Sequence, residues 1–306
     1  MYRVLKTWLF AVVVLSFTIT TCNAAFTEFA TSVRAVGLGG SACGLTGDVN
    51  NVFGNPAGIF GLVTSQAGVA FYQIAPGVEG GAVTQGMVAF GMPLKAAGIT
   101  IAGRWLNMSV SGMYAEDTMG IAAAKSVNDK LTVGVEVKLL KASYKGDEVA
   151  NDVYFSAGTE AQGVALDAGA VFKAMSNIDI GISLKNVNQP NIAINSSAEN
   201  KAPMIIRAGM AYRLPQKSPG FVTADIVMNP TEGTEISAGI EKNVFMKQLN
   251  VRGGVNYIMD TQSSLNCSAG AGFAFGQMEA NYAYVFQVMG GLVSYQNHYV
   301  GMNFKF

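Results

Sequence analysis

The sequence predicts an all-β fold: a closed antiparallel transmembrane barrel of about fourteen strands, preceded by an N-terminal plug segment. Three observations lead there. From about residue 65 to the end, apolar residues alternate with small or polar ones, the period that sorts side chains onto the two faces of a strand. Charged residues are 13% of the chain, against roughly 25% in an ordinary soluble domain, too few to solvate a water-facing surface. Glycine reaches 36 of 306 residues, which disfavours helix interiors. No stretch beyond residue 20 supplies the roughly 20 consecutive apolar residues of a spanning helix. Apolar content that is high but dispersed fits strands with one face toward lipid.

Residues 1–24 read as a secretory signal: Arg3 and Lys6 form a basic start, Trp8–Leu15 an apolar stretch, and Cys22-Asn23-Ala24 a small-residue cleavage site. Cys22 also invites a lipoprotein reading, but Ile19-Thr20-Thr21 lacks the small residues expected before a lipidated cysteine. Loss of Arg3 and Lys6 leaves the mature chain nearly neutral and without a basic tract, so nucleic acid is not an expected partner. Cys43 and Cys267 remain; an oxidising compartment permits a disulfide, and two isolated thiols is the preferred reading. Residues 25–62 form the plug segment and 63–306 the barrel.

The clearest alternation is Leu131-Thr132-Val133-Gly134-Val135-Glu136-Val137-Lys138-Leu139, with aliphatic residues at odd positions. It returns at Ile178–Lys185, Leu249–Tyr257 and Val300–Phe306. Runs bounded by turn-forming residues place strands near 65–75, 80–92, 97–107, 112–125, 130–142, 162–173, 177–187, 202–214, 220–228, 233–242, 247–258, 264–275, 276–288 and 293–306. Tight turns are expected at Ser126–Asp129, Met175–Asn177 and Phe275–Gln277, and longer loops near 144–159 and 188–201. Short turns at one end and longer loops at the other is the outer-membrane arrangement.

The polar face collects Arg104, Glu136, Lys138, Asp167, Asp179, Lys185, Arg207, Asp225, Glu241, Arg252, Glu279 and Lys305. On a lipid face each Arg or Lys at midplane costs roughly 2–4 kcal/mol; facing a wet lumen, these charges pair with one another and with water. A two-layer sandwich is the competing architecture, but so many apolar strand faces exceed what one core can bury. Tyr257, Tyr282, Tyr284, Tyr299, Phe304 and Phe306 read as an aromatic girdle rather than a ligand box.

Ahead of the strands stands Arg34-Ala35-Val36-Gly37-Leu38-Gly39-Gly40, followed by Asp48 and then Asn55-Pro56-Ala57-Gly58. Glycine there admits positive φ and close chain approach, and Asn-Pro favours a turn and a helix start. The combination resembles the N-terminal signature of the PorV/PorQ group of FadL-like outer-membrane proteins. Ile182–Val187, Arg207–Tyr212, Val251–Tyr257 and the closing hairpin from Ala280 to Phe306 extend the resemblance over most of the mature chain. It implies a plugged barrel of about fourteen strands, with hydrophobic small molecules passing through FadL-type members and service in protein secretion for PorV-type members.

Catalysis is not expected. The single histidine, His298, has Ser294 and Glu279 only as neighbours among many. No metal cluster emerges from one His and two mature Cys, and Gly37-Leu38-Gly39-Gly40 lacks the Lys-Ser/Thr of a phosphate loop. No cofactor is expected. The expected function is a FadL-like channel for hydrophobic or amphipathic small molecules in the bacterial outer membrane; the alternative is a PorV-like docking or shuttle component of surface protein secretion. The partners implied are outer-membrane lipid, a hydrophobic small-molecule ligand and secretion-machinery proteins.

Overall fold

The computed structural model describes residues 26, 32–74, 83–110, 112–146, 149, 155–156, 158–195, 198–244, 248–260, 263–289 and 296–306. The expected signal at 1–24 lies outside them, as does most of 25–31.

Fourteen strands run in chain order: β1 (Gln66–Ile74), β2 (Val83–Leu94), β3 (Ile99–Val110), β4 (Tyr114–Asn128), β5 (Leu131–Tyr144), β6 (Glu160–Met175), β7 (Ile178–Lys185), β8 (Ile205–Arg213), β9 (Gly220–Asn229), β10 (Gly233–Val244), β11 (Leu249–Met259), β12 (Ser264–Phe275), β13 (Met278–Met289) and β14 (Gln296–Lys305). Each pairs antiparallel with its sequence neighbours. β1 closes the ring on β14, from Gln66 opposite Lys305 to Tyr72 opposite Tyr299. Closure leaves no free edge, the condition for strands to sit in hydrocarbon. The end that carries the β4–β5, β6–β7 and β12–β13 turns has short connections; Asn128 ties the first of them by accepting from the Lys130 and Leu131 amides at 2.9 and 3.0 Å. β4 runs on to Asn128, past the expected end near 125, because that side-chain turn needs only Asp129 and Lys130.

The alternation falls as the sequence dictates. On β5, Val133, Val135, Val137 and Leu139 face outward, while Glu136, Lys138 and Leu140 are buried inward. Outward on β4, an apolar stretch separates Asp117 from Lys125; eight residues at roughly 3.3 Å each make about 26 Å along the strand, comparable with a lipid-facing band. Tyr257, Tyr282, Tyr284, Phe304 and Phe306 lie on the outward face as a girdle should. Tyr299 does not: it is 7% exposed on the inward face, its ring 4.5 Å from that of Tyr72. It falls one residue out of phase with the outward His298 and Val300, and parity, not residue type, decides its face.

The inward residues of β2 to β4 include Ala89, Ala102, Ala122 and Ala124, too small to fill a ring of this size. The missing volume comes from the N-terminal segment. A short helix, α1 (Val33–Gly37), and two 3-10 turns, η1 (Val49–Phe53) and η2 (Pro56–Ile59), lay Val33, Val36, Val49, Val52, Phe53 and Ile59 against those alanines in one apolar cluster. The barrel's core is therefore a co-production of small wall residues and large residues from outside the wall.

Candidate functional site: the filled lumen

The N-terminal segment is held first by its own caps. Ser32 accepts from the Ala35 amide at 3.0 Å to start α1, and Asp48 accepts from Asn50 at 3.0 Å to start η1. Asn55 caps η2 with Pro56 at its first position, accepting from the Ala57 amide at 3.1 Å. Asn55 also donates to the Cys43 carbonyl at 2.9 Å and the Ala170 carbonyl at 3.3 Å, joining segment to wall. Gly39 and Gly40 follow α1 at φ 70° and 94°, where a side chain would be strained.

Part of the contact with the wall is backbone packing. Four inward positions on β5, β6, β10 and β11 are glycines that the segment presses against. A Cβ on Gly134 would lie 2.4 Å from the Ala57 nitrogen, one on Gly169 2.0 Å from the Asn55 carboxamide oxygen. One on Gly239 would meet the Leu38 carbonyl at 2.4 Å, and one on Gly254 the Gly39 nitrogen at 2.1 Å. Gly134 pairs with Gly169 and Gly239 with Gly254, so each cross-strand pair opens a two-residue berth.

Three groups of charges surround the segment. In the first, Arg104 meets Glu136 at 2.5 Å and Asp167 at 3.9 Å, Lys138 meets Asp167 at 2.8 Å, and the Arg104 guanidinium lies 5.2 Å from the Phe53 ring centre of η1. In the second, Arg34 bonds Glu241 at 2.7 Å and approaches Asp48 at 3.6 Å. Arg252 joins the same Glu241 at 2.6 Å and reaches Glu279 at 3.4 Å. Burial works against the Arg34 charge, but the Glu241 and Asp48 carboxylates outweigh it and raise its pKa. In the third, Arg207 donates to the Gly40 carbonyl at 2.8 Å and pairs with Asp225 at 3.3 Å. Asp225 in turn accepts from the Ala42 and Cys43 amides at 2.9 and 3.0 Å.

These placements bring together most of the residues expected from sequence. Lys185 donates to the Phe53 carbonyl at 2.5 Å, and Gly37 packs against the Arg252 side chain. Gly58 sits under Asn51, a Cβ there being 2.8 Å from that side chain. Asp179 pairs with Arg213 rather than with the segment. Lys305 has inward parity but is exposed at the end of β14. The lumen is also drier than a wet pore: Arg104 and Glu136 side chains have no exposed surface. The reason is volume, since the segment occupies the space water would take. Missed from the sequence were the berth glycines, although glycine at inward parity, as in Val133-Gly134-Val135, is the signal that marks them.

Both remaining cysteines are free. Cys43 is buried in the segment, its thiol pushed up to about 12 by burial and then by the neighbouring Asp225 carboxylate. Cys267 pairs with the outward Val255, on the other side of the wall. His298 also faces outward, its Nδ1 2.7 Å from the Tyr282 hydroxyl, whereas Glu279 faces inward; Ser294 lies outside the described residues. The wall thus separates the groups a hydrolytic triad would need to bring together. Among the described residues no cluster of three or more His, Cys, Asp or Glu is placed to hold a metal.

Above the segment, a cavity of about 640 Å³ reaches from Gly39 and Gly40 to Thr231, Glu232 and Asp260, at the end of the barrel opposite the short turns. On the far side, Ile192 and Ala202 of the β7–β8 connection pack with Leu140, Ala142 and Ala161.

Residues 52–306 match the family described as Type IX secretion system membrane protein PorP/SprF. The chain belongs to that family. The match covers the whole barrel and begins inside η1, so the Arg34–Gly40 motif precedes it. A comparison with curated proteins gives no match. Among solved structures, the Ralstonia pickettii toluene transporter TbuX is similar at 14% identity and a TM-score of 0.67, covering 92% of this chain and 100% of that one. The CymD monoaromatic hydrocarbon channel is similar at 13% identity and a TM-score of 0.70, covering 92% and 99%. A Pseudomonas aeruginosa FadL homologue gives 14%, 0.60, and coverage of 92% and 98%. At such identities the likeness establishes the fold alone: this family member is an outer-membrane β-barrel with the fourteen-stranded closed architecture that these structures share.

Proposed function

We propose that this barrel is a docking component of type IX protein secretion, in the PorV-like sense of an outer-membrane partner that conducts nothing itself, and that residues 32–62 are its plug. The family supports the secretion setting. The observation that carries the non-conducting part is the lumen: glycine berths seat the segment backbone, the Arg34–Glu241 ion pair ties it to β10, and hydrogen bonds from its amides to Asp225 and from Asn256 to the Gly39 carbonyl tie it to β9 and β11. Withdrawing the segment would take Arg34 from Glu241 and two amide donors from Asp225 while both carboxylates stay in the wall, which opposes release. The partners are secretion-machinery proteins and the lipid around the belt.

The other reading, a channel for hydrophobic or amphipathic small molecules, is favoured by the fold shared with the toluene and monoaromatic-hydrocarbon channels. Against it stand the amides and the Glu232, Glu235 and Asp260 carboxylates at the cavity, polar groups that a hydrocarbon would cover without pairing. Deletion of the gene separates the two. Surface delivery of type IX cargo should fail while toluene entry into cells stays unchanged; slowed toluene entry with secretion intact would establish the channel instead.

A further inference from the structure

The cavity above the plug has a chemistry that neither role uses. Its wall across β11 to β13 carries a row of amides at one level: Asn256 stands opposite Asn266 and Asn266 opposite Gln287, and Asn297 on β14 lies one inward position away, opposite Val285. Two of their carbonyl oxygens, Asn256 Oδ1 and Gln287 Oε1, are buried and accept no hydrogen bond from the described residues. The charges nearby are already engaged: Arg207 by the Gly40 carbonyl and Asp225, Glu235 by the Asn256 amide. What the cavity offers a ligand is therefore neutral hydrogen bonding in both directions. Beside the amides, Ile258 and Val285 present apolar surface. The volume, about 640 Å³, falls within the roughly 300–1,000 Å³ of small-molecule sites.

We propose that this cavity binds an uncharged polyhydroxylated ligand, a short oligosaccharide entering from the end opposite the short turns. Sugar hydroxyls exchange hydrogen bonds with the half-buried amides of Asn256, Asn266 and Gln287, while C–H faces of the ring lie on Ile258 and Val285. A hydrocarbon leaves the amide row unpaired. A strongly anionic ligand meets Glu232, Glu235 and Asp260 along its path.

The test uses the full-length protein purified in lauryldimethylamine oxide, a detergent without a sugar headgroup that would compete. Neutral oligosaccharides released by mild acid from the source bacterium's surface polysaccharide are titrated calorimetrically, in parallel with a pool of neutral mixed-sequence peptides. Saturable oligosaccharide binding is expected, weakened at least tenfold in Asn266→Leu and in Gln287→Leu. Heat-modifiable gel migration checks that both variants remain folded barrels. Absence of saturable binding, equal affinity in the variants, or binding of the peptides alone each overturns the proposal. The secretion role is read separately in cells, so the failure of one does not imply the failure of the other.

Discussion

At the scale of single residues, neighbours in sequence face opposite solvents. Val135 is 59% exposed toward lipid, and Glu136 is buried with Arg104. Val135→Arg should cost roughly 2–4 kcal/mol at midplane, seen as loss of inserted protein from the membrane fraction. In a wet lumen Glu136→Gln would be mild, losing one partner among waters. The filled lumen reverses that: the change leaves Arg104 desolvated with Asp167 at 3.9 Å as its other carboxylate, and a loss of about 3 kcal/mol is expected. The urea midpoint of gel mobility measures it, and the Arg104→Met/Glu136→Leu pair should recover most of the loss; an unchanged midpoint in Glu136→Gln would mean that water reaches the pair. Cys43 provides a pH test. Its thiol pKa is raised from 9.0 to about 12, so below pH 9 both folded and unfolded thiols are neutral and stability is undiminished. Between pH 9 and 12 only the unfolded thiol ionises, and stability falls. Iodoacetamide at pH 8 should therefore leave Cys43 unmodified until the protein is unfolded; rapid alkylation of the native protein would contradict its burial.

At the scale of elements, the N-terminal segment and the wall are complementary in a way that neither reveals alone. β5 and β6, and again β10 and β11, place paired glycines where η2 and the end of α1 press against them. Gly254→Val should displace Gly39 and unseat the plug, raising single-channel conductance and exposing Arg34 to trypsin, while β11 still pairs with its neighbours. Deletion of residues 27–60 with the signal retained should leave an inserted barrel with higher conductance than the intact protein. If the deletion leaves conductance low, side chains of the wall close the lumen without help.

At the scale of the molecule, the closed ring has no edge from which to unravel. It should fractionate with outer membranes and migrate faster on gels before boiling than after; recovery as a soluble periplasmic monomer would exclude the barrel. The strand number and order were legible in the sequence because period-two alternation is a local property, readable wherever lipid on one side and a lumen on the other impose opposite demands. The segment ahead of the strands was legible as a turn-rich stretch through Gly39, Gly40 and Asn55-Pro56.

Which charge meets which was not legible. Arg34 and Glu241 are 207 residues apart in sequence and 2.7 Å apart in space, a contact set by where ring closure brings β10. The same holds for the dryness of the Arg104–Glu136 pair and for the amide row from Asn256 to Gln287, whose members share a level only through strand register. Sequence alone determined the faces, because alternation encodes them residue by residue. Tertiary structure decided how the lumen is filled, because volume and charge balance are sums over fourteen strands and the segment between them.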